Sequence, residues 1–405
     1  MHLGKQHNPN QYLLGQPYTA TKWCTSTRYR TVVLSLLRNT YEENHSMTLI
    51  IRTLPLLSFC ISCASTSEET PETRTVDPTS VGEYDAISKS VNISSRDGLT
   101  LPTQIWYPSQ QPSLDLHRYG ELKEGGAFAS GAVDCSTTRP VVLFSHGNTG
   151  MGYQSYFLGE FLASHGYIVV APNHVGNTIF DNDESRKPEL ILRRPQDISD
   201  AYDWLIEQSE FSDCIDPEGG FAVAGHSFGG YTVHSITGGY LDTDATLEHC
   251  AEYGGWLCEH VEDIATVSGA GVYDNTDERI WGAVSMTPAA LETLMGGIAS
   301  ISVPTLILGG EYDTLTPVRP LVQAIYDFVG SERKNFAVLK KAGHYTFSNA
   351  CDFLNTYEDC GEEFMNTTEA HSLINTMTLA FLEDLQGTPD MNEHLPPSDD
   401  RIEWQ

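Results

Sequence analysis

Positive charge is what this sequence has least of: 23 lysines and arginines stand against 54 acids, a formal net charge of -31. Phosphate backbones and anionic lipid would be repelled by such a surface, which excludes nucleic acid as a partner. The acids are scattered, so they read as a solvated face and not as a binding patch. A run long enough to cross a membrane is also missing. The most apolar stretch begins at Met47, MTLIIRTLPLLSFCISCAS, and its single arginine and short apolar core suit a signal peptide better than a span. No dinucleotide fingerprint, phosphate-binding loop or internal repeat occurs, so no cofactor is expected. The acidic clusters Asp181-Asn182-Asp183-Glu184 and Asp242-Thr243-Asp244 lack calcium-loop spacing and read as solvated turns, so no metal is expected either.

What is present is enough apolar residue, 40%, for a sizeable core in a chain of 405 residues. Residues 1–46 read as an upstream extension, 47–64 as a signal peptide or lipoprotein signal, and 65–84 as a polar linker. Cys60-Ile61-Ser62-Cys63 resembles a lipoprotein box, with cysteine where leucine is usual, so that a lipidated Cys63 would tether the chain to a membrane. Cleavage after Ala64 is the rival, and by either route the mature chain leaves the cytosol. Export gives meaning to the remaining cysteines, Cys135, Cys214, Cys250, Cys258, Cys351 and Cys360, an even set suited to disulfides. Closeness in sequence pairs Cys250 with Cys258 and Cys351 with Cys360, leaving Cys135 for Cys214. Zinc is the alternative, but no C-x-x-C spacing occurs among these six.

From residue 85 to 386 strand-like runs alternate with amphipathic helical stretches, the pattern of one α/β domain with a mostly parallel central sheet and helices on both faces. Ile87 to Ile93 and Leu99 to Tyr107 read as opening antiparallel strands around Asp97-Gly98. Strands are expected at Val141 to Phe144, Tyr167 to Ala171, Phe221 to Ala224, Ile280 to Val284, Thr305 to Leu308 and Phe336 to Leu339. Helices are expected from about Tyr153 to Ser164, Asp197 to Gln208 and Glu369 to Leu385. An insertion spans about 238–277 and holds Trp256; a lid, a binding loop and decoration are its three readings. Residues 387–405, acidic and proline-rich, read as a loose tail.

The most informative word is Ala224-Gly225-His226-Ser227-Phe228-Gly229-Gly230, a G-x-S-x-G core after an apolar strand and before a helix-compatible stretch. A serine there sits on a tight turn that small neighbours permit, at a helix head whose amides favour negative charge. The bland alternative is a glycine-rich turn. A serine hydroxyl is a weak nucleophile and needs a base oriented by an acid, which in this fold follow in the order Ser, acid, His. His344, directly after the last expected strand, is the base; His371 falls within the closing helix and His394 in the tail. Asp313, just beyond a strand end, is the acid, with Glu311 its local rival. The oxyanion donors are the backbone N–H groups of Phe228 and Asn148, with Gly147 as runner-up to Asn148. His146 and His226 read as braces for the two loops. Tyr153, Trp256 and Tyr345, with Phe228 and Phe347, are candidates for an apolar substrate wall.

Phe144-Ser145-His146-Gly147, LASHGYIVVAPNHVGNT, Arg194-Pro195-Gln196-Asp197, AGHSFGGYT, Ile307 to Pro317 and AGHYTF together resemble the bacterial dienelactone-hydrolase-like family related to platelet-activating-factor acetylhydrolases, within the α/β-hydrolase superfamily. The resemblance implies a carboxylic ester hydrolase with Ser227, Asp313 and His344 as triad, no cofactor, and a small-molecule, lipid or polymer ester as substrate. It implies an extracellular, periplasmic or outer-membrane location. The elbow departs from true dienelactone hydrolases, which carry cysteine where Ser227 stands. A lipase or polyester hydrolase, a peptidase or amidase, and a non-catalytic binding module are the rival readings.

Overall fold

The computed structural model describes residues 76–120, 123–268, 271–354, 357–395 and 399–405. The expected signal, the lipoprotein box with Cys63 and most of the linker lie outside the described residues. The elements that matter here are β1 (Asp85–Ser94), β2 (Thr100–Ser109), β3 (Leu116–Tyr119), β4 (Lys123–Phe128), β5 (Val141–Ser145), α1 (Tyr156–Ser164) and β6 (Ile168–Pro172). They continue with α2 (Lys187–Glu207), β7 (Phe221–His226), α3 (Phe228–Ile236), α4 (Thr243–Tyr253), α5 (Val261–Ser268), β8 (Ile280–Met286) and β9 (Thr305–Gly310). The last are α6 (Gln323–Phe328), β10 (Lys334–Leu339), α7 (Thr367–Leu385) and β11 (Ile402–Trp404).

The eleven strands form one sheet in the order β11-β10-β9-β8-β7-β5-β6-β2-β1-β4-β3. The stretch from β6 to β10 is parallel throughout. Its strands are apolar at almost every position because both faces are covered. Val142, Phe144, Ala222, Ala224, Val284, Met286, Leu306 and Leu308 face α1 and α7. The intervening Val141, Leu143, Phe221, Val223 and Ala283 face α2 and α3. β5 is followed outward by β6, and the chain then returns to lay β7 on the other side of β5. That reversal opens a crevice at the carboxyl ends of β5 and β7, where ligands bind in open α/β sheets. Ser145, the last residue of β5, and Gly225, one residue before the end of β7, are register partners there.

Two expectations are corrected and one element is added. The helix expected from Asp197 begins ten residues earlier, at Lys187, and runs through Pro195. Proline has no N–H for the carbonyl four residues back, and a buried orphan carbonyl is costly. The Tyr231 hydroxyl of α3 donates to that carbonyl, Ile191 O, at 2.9 Å, so the helix continues. The tail is not loose: β11 adds antiparallel to β10, and Ile402 and Trp404 pack on the core. The hairpin β3–β4 is an element that periodicity missed, because its glycines carry no pattern. Gly126 and Ala127 donate backbone N–H groups to the Glu160 carboxylate of α1, and a Cβ on Gly125 would sit 2.3 Å from that carboxylate.

Cys135–Cys214, Cys250–Cys258 and Cys351–Cys360 are all disulfides. Among the described residues no helix is long and apolar enough to cross a membrane.

Candidate active site

Ser227 stands between the last residue of β7 and the first of α3, with φ 58° and ψ -116°. A non-glycine residue in that region is strained and persists only where its surroundings over-determine it. The surroundings are explicit. Ser227 N donates to Met286 O at 2.9 Å, and Ser227 O accepts from Gly230 N at 2.8 Å and Ala289 N at 3.0 Å. Gly229 lies so close to β5 that a Cβ would come within 1.9 Å of Ser145 O, and one on Gly225 within 2.3 Å of Gly229 O. The two glycines thus let the turn seat itself against the neighbouring strand.

Ser227 and His344 line the same cavity, about 1070 Å³ in volume. His344 follows β10, and its Nδ1 lies 2.8 Å from Asp313 Oδ2. A carboxylate at Nδ1 holds the proton there and leaves Nε2 as the basic nitrogen. Asp313, in the loop after β9, is buried and accepts from Leu315 N at 2.8 Å, Thr316 N at 2.7 Å and Thr316 Oγ1 at 2.7 Å. Burial pushes its carboxyl up, but the hydrogen bond and charge of His344 and the Thr316 donors outweigh burial and hold it below the ordinary value. Glu311, the rival acid, accepts from Lys341 N at 2.9 Å.

Gly147 N–H is already donated to Gln154 Oε1 at 3.0 Å. The Asn148 and Phe228 N–H groups have no hydrogen-bond partner among the described residues. The Asn148 side chain is pinned from behind: its Oδ1 accepts from Asn177 Nδ2 and from Lys187 Nζ, each at 2.8 Å. His226 Nε2 donates to His344 O at 2.9 Å, while its Nδ1 accepts from Gln154 Nε2 at 2.9 Å. Burial, then the neighbouring His344, lowers its pKa to about 3, and the neutral ring can therefore donate on one side and accept on the other. His146 Nδ1 donates to Gly147 O at 2.7 Å and its Nε2 accepts from His174 N at 3.0 Å.

Sequence reasoning missed Gln154, which joins the Gly147 loop to His226, and the buried cluster below the loop. There Ser145 Oγ meets His174 Nε2 at 2.9 Å and His174 Nδ1 meets Asp197 Oδ2 at 2.9 Å. This repeats a Ser-His-Asp chain, yet all three side chains are fully buried and none lines the cavity. Arg194, also fully buried, donates to Asn177 Oδ1 at 2.6 Å and to His146 O, and its guanidinium lies over the Phe228 ring. Burial raises Asp197 to about 7 against the pull of Arg193 and Arg194, and lowers Arg194 to about 9. The cluster holds the loop that carries Asn148. Its members fall within the words that carry the resemblance, but nothing in those words says that they meet, because only the sheet brings them together.

Of the aromatic candidates, Tyr153, Trp256 and Tyr345 line the cavity. Phe228 and Phe347 do not; both are buried in the core. His371 stacks on Phe157 and its Nε2 meets Ser348 O at 3.1 Å, a packing role. The insertion contributes His249, Tyr253 and Trp256 to the cavity wall. Asp183 and Asp242 are spent as helix caps, and among the described residues no three His, Cys, Asp or Glu side chains converge as a metal site would need.

A family profile described as Chlorophyllase matches residues 133–254. Cutinase est1 and Cutinase est2 of Thermobifida alba are each 28% identical to this chain over 211 residues, 52% of it and 55% and 54% of their own lengths. Cutinase cut1 of Thermobifida fusca is 28% identical over 211 residues, 52% of this chain and 51% of its own. The chain spans about half the length of the curated relatives it matches. With a parallel sheet whose order reverses at β5, helices on both faces and a strained serine turn at that reversal, this chain has the α/β-hydrolase fold.

Proposed function

We propose that this protein is a serine hydrolase of carboxylic esters, working through an acyl-enzyme on Ser227. In this reading His344 Nε2 takes the hydroxyl proton as Ser227 attacks the ester carbonyl, and returns it to the departing alcohol. Asp313 fixes the imidazole tautomer and stabilises the imidazolium that forms. The Phe228 and Asn148 N–H groups receive the oxyanion. The strongest support is one cavity containing both the strained Ser227 turn and a His344 whose Nδ1 is already bonded to Asp313.

The similarity to cutinases and to the chlorophyllase profile supports an ester as substrate, and the apolar cavity wall favours one with apolar arms. The narrower dienelactone-hydrolase-like kinship and residence outside the cytosol, by secretion or through a lipidated Cys63, belong to the same proposal. The test is hydrolysis of p-nitrophenyl esters from acetate to palmitate by the protein and its Ser227→Ala variant. Turnover that vanishes in the variant supports the reading. A folded protein inactive on every chain length would turn it towards an amidase or a binding module.

A further inference from the structure

Two of the three disulfides close very short loops, with cysteines 8 and 9 residues apart, while Cys135 and Cys214 are 79 apart. The chain-entropy gain of a cross-link grows with the length of loop it closes, so the short pair contributes least to global stability. Both short loops instead border the cavity at Ser227. Tyr253 and Trp256 lie between Cys250 and Cys258, and Phe353, Leu354 and Tyr357 lie between Cys351 and Cys360; all five line the cavity.

Phe353 packs against the core, but three of the five have little to hold them. Tyr253 is 71% exposed, Leu354 46% and Trp256 42%. The first loop also contains Gly254, at φ 71°, followed by Gly255, a pair with little conformational preference of its own. What steadies it is a small set of contacts. Leu257 N donates to Glu292 Oε1 at 2.7 Å, Trp256 stands edge-on to Phe228 at 5.0 Å, and Lys187 Nζ lies 5.1 Å over the Trp256 ring. The second loop packs Phe353 against Tyr153 at 5.8 Å and Tyr357 against Tyr345 at 4.3 Å, and Asp359 Oδ2 accepts from Tyr345 N at 2.5 Å.

We infer that the Cys250–Cys258 and Cys351–Cys360 disulfides are specificity determinants. Each holds an aromatic loop in place as a wall of the substrate cavity, and the walls select esters with an extended apolar arm over esters with a short one. This rests on the ester reading of Ser227. A short acyl group at Ser227 does not need the walls, whereas a longer arm binds by lying on them, and even one buried methylene changes discrimination by roughly 10–200-fold.

The experiment compares kcat/KM for p-nitrophenyl octanoate with that for p-nitrophenyl acetate, in wild type, Cys250→Ser/Cys258→Ser and Cys351→Ser/Cys360→Ser. The octanoate-to-acetate ratio is expected to fall at least about tenfold in each pair, carried mainly by a raised KM for octanoate. An unchanged ratio in either pair overturns the inference. Cys135→Ser/Cys214→Ser is the control: its Tm falls while the ratio stays put, and an equal fall of the ratio there would mean general softening and would also overturn it. Should a cavity pair fail to fold by circular dichroism, Trp256→Ala and Phe353→Ala with all disulfides intact decide, an unchanged ratio again overturning it. A wild type inactive on both esters sinks the ester reading and this inference with it, a result distinct from an active enzyme whose ratio does not respond.

Discussion

A carboxylate buried as deeply as Asp313 stays charged only because donors surround it, from Leu315, Thr316 and His344. Its folded-state pKa lies below the ordinary value, so the stability it contributes is present above the ordinary carboxylate range and is lost as pH falls through the folded-state pKa. Asp313→Asn removes the charge that holds the His344 proton on Nδ1. Turnover should fall on the order of a thousandfold or more with KM little changed, and Glu311→Gln should be nearly silent in the same steady-state assay. The opposite pattern would move the acid to Glu311. His234 of α3 presents the reverse problem: it is fully buried, neither ring nitrogen has a partner among the described residues, and burial lowers its pKa from 6.5 to about 4. A lowered histidine is at full stability above the unfolded value, and stability drains as pH falls from 6.5 towards about 4, by up to about 3 kcal/mol. His234→Leu should therefore flatten the acid side of the stability curve and stabilise the protein by about 1 kcal/mol at neutral pH, read by denaturant unfolding across pH.

At the scale of elements, α2 shows why a local signal can mislead. The apolar period after Asp197 reads as a start, but the helix runs from Lys187 through Pro195 because Tyr231 of α3 supplies the donor that proline lacks. Tyr231→Phe leaves Ile191 O buried and unpaired, which should cost about 1–3 kcal/mol in denaturant unfolding. A neutral result would show that α2 satisfies that carbonyl by itself. The same helix carries Arg194 and Asp197 beneath the loop after β5, so its first half, which the period did not show, supports the loop that carries the Asn148 N–H. The strand-turn-helix at Ser227, by contrast, was legible residue by residue, since the constraint lies within a few residues of backbone and shows itself as small side chains.

For the whole molecule, the sheet is closed on one side by the C-terminal strand. Bonds between Phe336 and Gln405 and from Lys340 N to Arg401 O cover the outer edge of β10. A chain ending at residue 398 should lose stability and, with β10 bare, associate through that edge, which sedimentation would detect. A monomer of unchanged stability would show that β11 is ornamental.

Short-range chemistry was enough to read the serine turn, the α/β alternation and the pairing of neighbouring cysteines, because each is written in residues close along the chain. It preferred Asp313 to its local rival Glu311, two residues away on the same loop, only from the position beyond a strand end; which carboxylate turns to His344 depends on how β9 and β10 lie beside each other. Nor could it separate Trp256 and Tyr345, which face the cavity, from Phe228 and Phe347, which face the core. Those outcomes belong to the sheet register and the packing of distant loops, where the partner of each side chain comes from far along the chain and leaves no periodic trace in its neighbours.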